Sequence, residues 1–94
     1  MSFYPYITTN PKKNTFYTGM TNDLNRRMKE HRENKGKRKT FAGRYFCHKL
    51  VYYEEFHTPT EAIDREKELK NMSRADKINL IKTKNPNMIF YCKW

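Results

Sequence analysis

Two short stretches near the start of the chain carry the first strand-like pattern. Phe3 to Thr8 is aromatic and β-branched, Thr15 to Gly19 is similar, and Thr9-Asn10-Pro11-Lys12-Lys13-Asn14 between them collects turn formers. The pair predicts a β-hairpin with a longer loop. Pro5 conflicts with a central strand, because proline cannot donate to a ladder and belongs on an edge or at a bulge. By the two-residue period, Tyr4, Tyr6 and Thr8 share one face. Thr21 or Asn22 then offers an N-cap, Asp23 suits the positive end of the helix dipole, and a helix runs to about His31 or Glu33. His48 to Phe56 reads as a third strand. Thr58-Pro59-Thr60-Glu61 places Thr at the cap, Pro at the first helical position and Glu at the third, a capping box that opens a helix to about Asn71. Ser73 with Asp76 opens another short helix through Ile81. The closing Asn85-Pro86-Asn87 and Met88-Ile89-Phe90-Tyr91 fit either a loop or a short final strand. The order β-β-α-β-α-α describes a small α+β fold. With no repeat and no long linker, residues 1–94 form one domain.

Composition sharpens this outline. Only 36% of the residues are hydrophobic and the mean hydropathy is −1.12, so the core must be small; a 15% aromatic share lets rings supply much of it. Twenty Lys and Arg against ten Asp and Glu leave a formal charge of +10 and a pI near 9.8. Charge of that density on a chain this short points to a polyanion, nucleic acid ahead of an anionic membrane. No stretch approaches the ~20 apolar residues of a spanning helix. Met1-Ser2-Phe3-Tyr4-Pro5-Tyr6 reads as folded chain rather than as an apolar signal, so the cytoplasm is the expected location. Cys47 and Cys92 form no C-x-x-C pair. His48, next to Cys47 on a strand, points the other way, so reduced structural thiols are expected rather than zinc.

The helices then show polar groups where a core should be. At about 100° per residue, Leu24, Arg27, Met28 and His31 share one face of the first helix. Asn25, Arg26, Lys29, Glu30, Arg32 and Glu33 take the other side. The inward stripe therefore carries an arginine and a histidine. In the second helix Ala62, Ile63, Leu69 and Met72 mark the buried side, and Glu66 lies inside that stripe. A carboxylate there is costly unless it is paired or holds a metal. Two readings stand open: an ion pair from Glu66 to Arg27 or Arg65, and a functional site.

Phosphodiester cleavage needs an activated water, charge relief on phosphoryl oxygens and help for the leaving oxygen. Glu66 is a hard oxygen ligand suited to Mg²⁺, which keeps most of its waters. Arg27 can pair bidentately with a phosphate, and His31 can donate to or accept from a reacting oxygen. A tyrosine serves as a base only where cations lower its pKa from ~10, a condition expected beside Arg27, a metal and a strongly cationic protein. Gly19 serves either a close backbone approach or only the turn before the helix. The basic run Asn34-Lys35-Gly36-Lys37-Arg38-Lys39 suits a solvated loop and a phosphate-tracking loop equally. Composition and spacing by themselves stop at a phosphoryl-transfer site.

At these residues the chain resembles the GIY-YIG nuclease superfamily, and in particular its small stand-alone domains. Tyr4-Pro5-Tyr6-Ile7-Thr8-Thr9-Asn10 occupies the place of the GIY segment, and Tyr17-Thr18-Gly19 matches YIG. Thr21-Asn22-Asp23-Leu24-Asn25-Arg26-Arg27, with His31 four residues on, matches the family's first helix. Tyr52-Tyr53-Glu54-Glu55-Phe56 and Ala62 to Lys70 look like the stand-alone subfamily, and Asn85 before Pro86 resembles its closing motif. The similarity runs in order over nearly the whole chain.

That resemblance implies a three-stranded antiparallel sheet flanked by helices, and a metal-dependent endonuclease in which tyrosine assists attack of water on a phosphodiester. Tyr6, Tyr17, Arg27, His31, Glu66 and Asn85 would form the catalytic set, with Glu66 holding one Mg²⁺ or Mn²⁺. Lys35, Lys37, Arg38, Lys39 and Arg44 are candidate nucleic-acid contacts, with DNA favoured over RNA. Three departures stand out: Tyr4-Pro5 replaces Gly-Ile, which suggests a bulged first strand; Thr18 replaces Ile; and Ala42-Gly43 replaces the Thr-Lys commoner in the subfamily, with Arg44 a substitute for the charge. A homodimer or a separate targeting protein would help so small a domain find its site. The alternative is a nucleic-acid-binding module that keeps the fold without cleaving.

Overall fold

The computed structural model describes residues 2–33 and 49–91, and of His31 and Arg32 the backbone alone. Strand β1 (Tyr4–Thr9) pairs with β2 (Phe16–Thr21) as an antiparallel hairpin, with Tyr6 opposite Gly19 and Thr8 opposite Tyr17. Asn10 builds the hairpin loop: its Oδ1 accepts from the backbone N–H of Asn14 (3.0 Å) and Thr15 (3.1 Å), and its carbonyl from Lys13 (2.9 Å). Strand β3 (Lys49–Tyr53) lies antiparallel on the other side of β1, so the described sheet has the order β2-β1-β3. The α+β class and the three-stranded antiparallel sheet expected from the sequence are both present.

Pro5 therefore stands in the central strand, not on an edge. Phe3 exchanges both backbone hydrogen bonds with Phe56 at 2.8 and 2.9 Å, and the Pro5 carbonyl accepts from Glu54 N at 2.9 Å. The bond that Pro5 cannot donate is thus the only part of that step given up, between the Phe3–Phe56 bridge and the Tyr6–Tyr53 pair. The bulge expected in the first strand is in β3 instead: Ile7 pairs with Tyr52 and Thr8 with Leu50, which leaves Val51 as the extra residue.

Three described helices flank the sheet. In α1 (Leu24–Glu33) the cap is Asp23 rather than Thr21 or Asn22: Arg26 N donates to Asp23 Oδ1 at 3.1 Å, while Thr21 Oγ1 is occupied by Asp23 N at 3.1 Å. Helix α2 (Pro59–Asn71) opens on Thr58, whose hydroxyl accepts from Glu61 N, and α3 (Arg74–Lys84) opens on Ser73 in the same way through Asp76 N. The tail beyond α3 is a loop, although Tyr91 N still donates to Leu50 O at 2.9 Å.

Alternation along the strands sends side chains to two cores. On one face Tyr6 and Leu50 pack with Leu24 and Met28 of α1; on the other Ile7, Val51 and Tyr52 pack with Leu69 of α2, Ile81 of α3 and Met88. Ile63, expected inside, is 38% exposed. The buried stripe of α2 instead centres on Ala62 and Leu69, and Glu66, four residues after one and three before the other, still falls on it.

A polar clamp fixes how α2 docks. Arg65 Nε donates to both Glu54 oxygens at 3.1 and 3.0 Å, its Nη2 lies 3.0 Å from Glu54 Oε2, and its Nη1 reaches Glu68 at 3.2 Å. The Tyr52 hydroxyl also donates to Glu54. Burial pushes the Glu54 carboxyl up, but hydrogen bonds from Arg65 and Tyr52 and the charges of Arg65 and Lys84 outweigh it and hold the group below its ordinary 4.5. A depressed folded-state value gives stability that is present above the unfolded-state value and is lost as pH falls through the folded one. Urea midpoints should therefore drop as pH falls below about 4.5. In Glu54→Gln that acid slope should be shallower and the neutral-pH midpoint lower. An unchanged slope would remove Glu54 from the account.

Candidate active site

The hairpin and α1 bring three of the six proposed catalytic side chains together. Tyr6 and Tyr17 project from the same sheet face as Gly19, and their rings lie 6.4 Å apart at 47°. Arg27 reaches the Tyr6 phenol with its guanidinium, through charge and a hydrogen bond, from the first turn of α1. Glu66, from α2, contributes the carboxylate whose charge also acts on Tyr6. Four residues distant in sequence thus share one electrostatic neighbourhood.

Gly19 is what allows the Tyr6 hydroxyl to sit there. A Cβ at Gly19 would stand 2.5 Å from Tyr6 Oη, 2.7 Å from its Cζ and 3.1 Å from Tyr17 Cε2. Of the two roles open to this glycine, the close approach is the one realised, because the phenol lies directly over its α-carbon.

The phenol departs from expectation. Tyr6 is fully buried, and this burial pushes its pKa well above the usual 10.0. Charge on Tyr17 adds to the rise; the Arg27 charge and hydrogen bond oppose it without prevailing; Glu66 raises it further. Protein groups alone therefore keep Tyr6 protonated, and the lowering toward base strength expected from the sequence would need the added charge of a metal ion. Desolvation of the phenolate exceeds what one half-exposed arginine returns.

Arg27 keeps its Nε buried, 3.4 Å from Glu30 Oε1 but not aligned for a hydrogen bond. Arg65 is committed to Glu54 and Glu68, so it does not neutralise Glu66. Among the described residues the ion pair of Glu66 is with Lys70, at 3.6 Å through Oε2. That contact is long and solvent-facing on the lysine side, and a divalent ion would displace it at small cost. No group of three or more His, Cys, Asp or Glu among the described residues could hold an ion. Mg²⁺ asks for no such cage: it binds through one or two carboxylates and retains waters. Glu66, a single partly buried carboxylate whose charge acts on the Tyr6 phenol, fits that requirement.

Asn85 is placed differently. Its Nδ2 donates to Val51 O (2.9 Å) and Ile89 O (2.8 Å), and its Oδ1 accepts from Ile89 N (2.9 Å). These bonds brace the closing loop against β3 and use the amide's capacity on backbone. The His31 side chain and Lys35, Lys37, Arg38, Lys39 and Arg44 lie outside the described residues, as do Cys47, His48 and Cys92.

Comparison with known proteins bears on this arrangement. The profile of the GIY-YIG catalytic domain matches residues 2–79, which includes both tyrosines, Arg27 and Glu66. The chain belongs to the GIY-YIG family. A UPF0213 protein of Clostridium perfringens is 40% identical over 74 residues, 79% of this chain and 77% of that one. A UPF0213 protein of Staphylococcus aureus is 38% identical over 68 residues, 72% and 80% of the two chains. The solution structure of a UPF0213 protein from Bacillus halodurans superposes with a TM-score of 0.57 at 36% identity, covering 93% of this chain and 89% of its own. This GIY-YIG domain therefore has the nuclease-type fold of its small single-domain relatives. No described helix is long and apolar enough to cross a membrane.

Two features could not be decided from the sequence alone. The Glu54–Arg65 clamp joins residues eleven apart whose meeting depends on how α2 docks. The role of Gly19 depends on the direction of a side chain in the opposite strand.

Proposed function

We propose that this chain is a metal-dependent endonuclease that hydrolyses phosphodiester bonds in nucleic acid, DNA in preference to RNA. The observation that carries the reading is that Tyr6 and Tyr17 meet over Gly19 and that the charges of Arg27 and Glu66 both act on the Tyr6 phenol. Glu66 would hold one Mg²⁺ or Mn²⁺, which when bound supplies charge at a phosphoryl oxygen and an acidified water. Arg27 offers its guanidinium fork to the phosphate. Tyr6, kept protonated by burial, holds the Arg27 guanidinium in place, and the partly exposed Tyr17 meets the attacking water or a phosphoryl oxygen. His31, four residues after Arg27 on α1, supplies a group that can give or take a proton near neutrality. The basic segment with Lys35, Lys37, Arg38, Lys39 and Arg44, in a protein of net charge +10, holds the polyanion. A cytoplasmic location, and a homodimer or targeting partner, accord with this reading.

A second reading, a binding module without cleavage, draws on one observation: the buried Tyr6 phenol is pushed away from base strength. Supercoiled plasmid separates the two. The enzyme reading expects relaxed circles in Mg²⁺ or Mn²⁺ and none in EDTA. Salt-sensitive binding with no nicking in either ion would establish the module instead.

A further inference from the structure

Away from the tyrosines, an open groove of about 310 Å³ runs between the hairpin loop and the junction of α2 and α3. Asn14, Thr15 and Phe16 form one wall, and Met72, Arg74 and Lys77 the other. The first wall is preset by the Asn10 hydrogen bonds that shape the loop. Arg74 spans the groove: its Nη2 donates to Asn14 O, and its guanidinium lies over the Phe16 ring, 5.9 Å from the centroid. That leaves further N–H donors of the fork for a ligand.

The groove carries two cations and no carboxylate in its lining. Among the described residues neither Arg74 nor Lys77 makes an ion pair. Asp76, the nearest acid in sequence, is exposed and serves the first turn of α3 through its backbone N–H. Burial, then repulsion from Lys70, hold the Lys77 ammonium below the usual lysine range, the mark of a cation lacking a counter-charge. Lys70 is the residue that pairs with Glu66. Met72 caps the helix that carries Glu66.

We propose that this groove is a phosphate-binding subsite, in which Arg74 and Lys77 hold the sugar–phosphate backbone of the substrate strand outside the candidate active site. The assignment rests on the nuclease reading for what the strand is. Its own content is where the strand runs. Phe16 and Met72 give the floor an apolar surface suited to a sugar or the face of a base, while the cations meet the phosphates.

The test is anisotropy of a fluorescein-labelled DNA duplex, and of its single strand, in EDTA over a range of salt. Arg74→Ala/Lys77→Ala should weaken binding about tenfold and lower the salt slope by between one and two contacts, at about 0.9 per phosphate neutralised on duplex. Lys82→Ala, which removes one charge from the exposed last turn of α3, should change affinity less than twofold, and less than Lys77→Ala, which removes one charge from the groove. Thermal melts verify folding, and Lys77→Gln gives the slope change with a gentler substitution. Equal losses from Lys82→Ala and Lys77→Ala would replace the subsite by a diffuse field and overturn the proposal. So would displacement of the DNA by polyglutamate as effective as by unlabelled DNA. If the wild type nicks plasmid and the groove variants bind and nick as it does, the subsite fails and the nuclease stands. Groove variants that lose affinity in a protein that never nicks would uphold the subsite and refute the nuclease. A wild type that binds neither duplex nor single strand at low salt would overturn both.

Discussion

Glu66→Gln is expected to abolish metal-dependent plasmid nicking, by about a thousandfold or more, while leaving the protein folded. A bound divalent ion contributes several kcal/mol of transition-state stabilisation, and about 1.4 kcal/mol corresponds to each factor of ten. Glutamine keeps the shape of the side chain but is a neutral and much weaker ligand. Its structural consequences are small, because the ion pair of Glu66 is a 3.6 Å contact with a lysine that is 54% exposed, and pairs of that kind contribute a few tenths of a kcal/mol. Melting temperatures within about 2 °C of wild type are expected, since 1 kcal/mol moves a domain of this size by about 4–8 °C. Glu68→Gln is the matched control: two positions along α2, with a 65% exposed carboxylate held by Arg65, it should nick as wild type does. Nicking retained in Glu66→Gln, or lost equally in Glu68→Gln, would remove Glu66 as the metal ligand.

The contrast between these two glutamates shows what was legible in the sequence. Period alone put Glu66 on the inward stripe and Glu68 outside it, and both positions hold. Period did not fix which way the stripe faces. Ile63 was expected inside and lies 38% exposed, because α2 is rotated by a contact from another element, the Glu54–Arg65 clamp. Caps formed by local geometry were readable at Thr58 and Ser73, where the partner N–H is three residues on. At α1 three cap-competent residues stand in a row. The choice of Asp23 follows from Thr21 having spent its hydroxyl on Asp23 N, a tertiary detail of the turn out of β2.

The site divides along the same line. Residue types and order identified Tyr6, Tyr17, Arg27 and Glu66 through the family resemblance, and the fold places their charges within reach of one another. For Tyr6 the sequence displays the neighbouring cation but not the burial that opposes it. Leu24, Met28 and Leu50, from two other elements, enclose the ring, and their desolvation outweighs Arg27. Asn85 was read from a motif as part of the chemistry, and the bonds of its amide to the Val51 and Ile89 backbone are tertiary contacts that no sequence pattern displays.

Gly19→Ala should be damaging in stability and in nicking together. The added carbon would stand 2.5 Å from Tyr6 Oη and 2.7 Å from Cζ, distances at which something must move. The backbone at Gly19 is paired to β1 across the hairpin, and the Tyr6 ring is fully enclosed, so neither yields freely. Overpacking of this kind costs about 1–3 kcal/mol, or at least about 4 °C in melting temperature. Displacing the phenol also separates it from Arg27 and opens the space beside Tyr17, where a second contact at 3.1 Å crowds the new carbon. A shift of about 1 Å in a catalytic group lowers rates about a hundredfold, and nicking should fall by that order even in the folded fraction. A double variant separates crowding from a simple loss of backbone freedom. Tyr6→Phe removes the oxygen at 2.5 Å but leaves the ring carbon at 2.7 Å, so adding it to Gly19→Ala should restore part of the lost stability and none of the lost nicking. Strictly additive losses in the pair would show that Gly19 and the Tyr6 hydroxyl act independently, and the close approach would no longer explain the glycine.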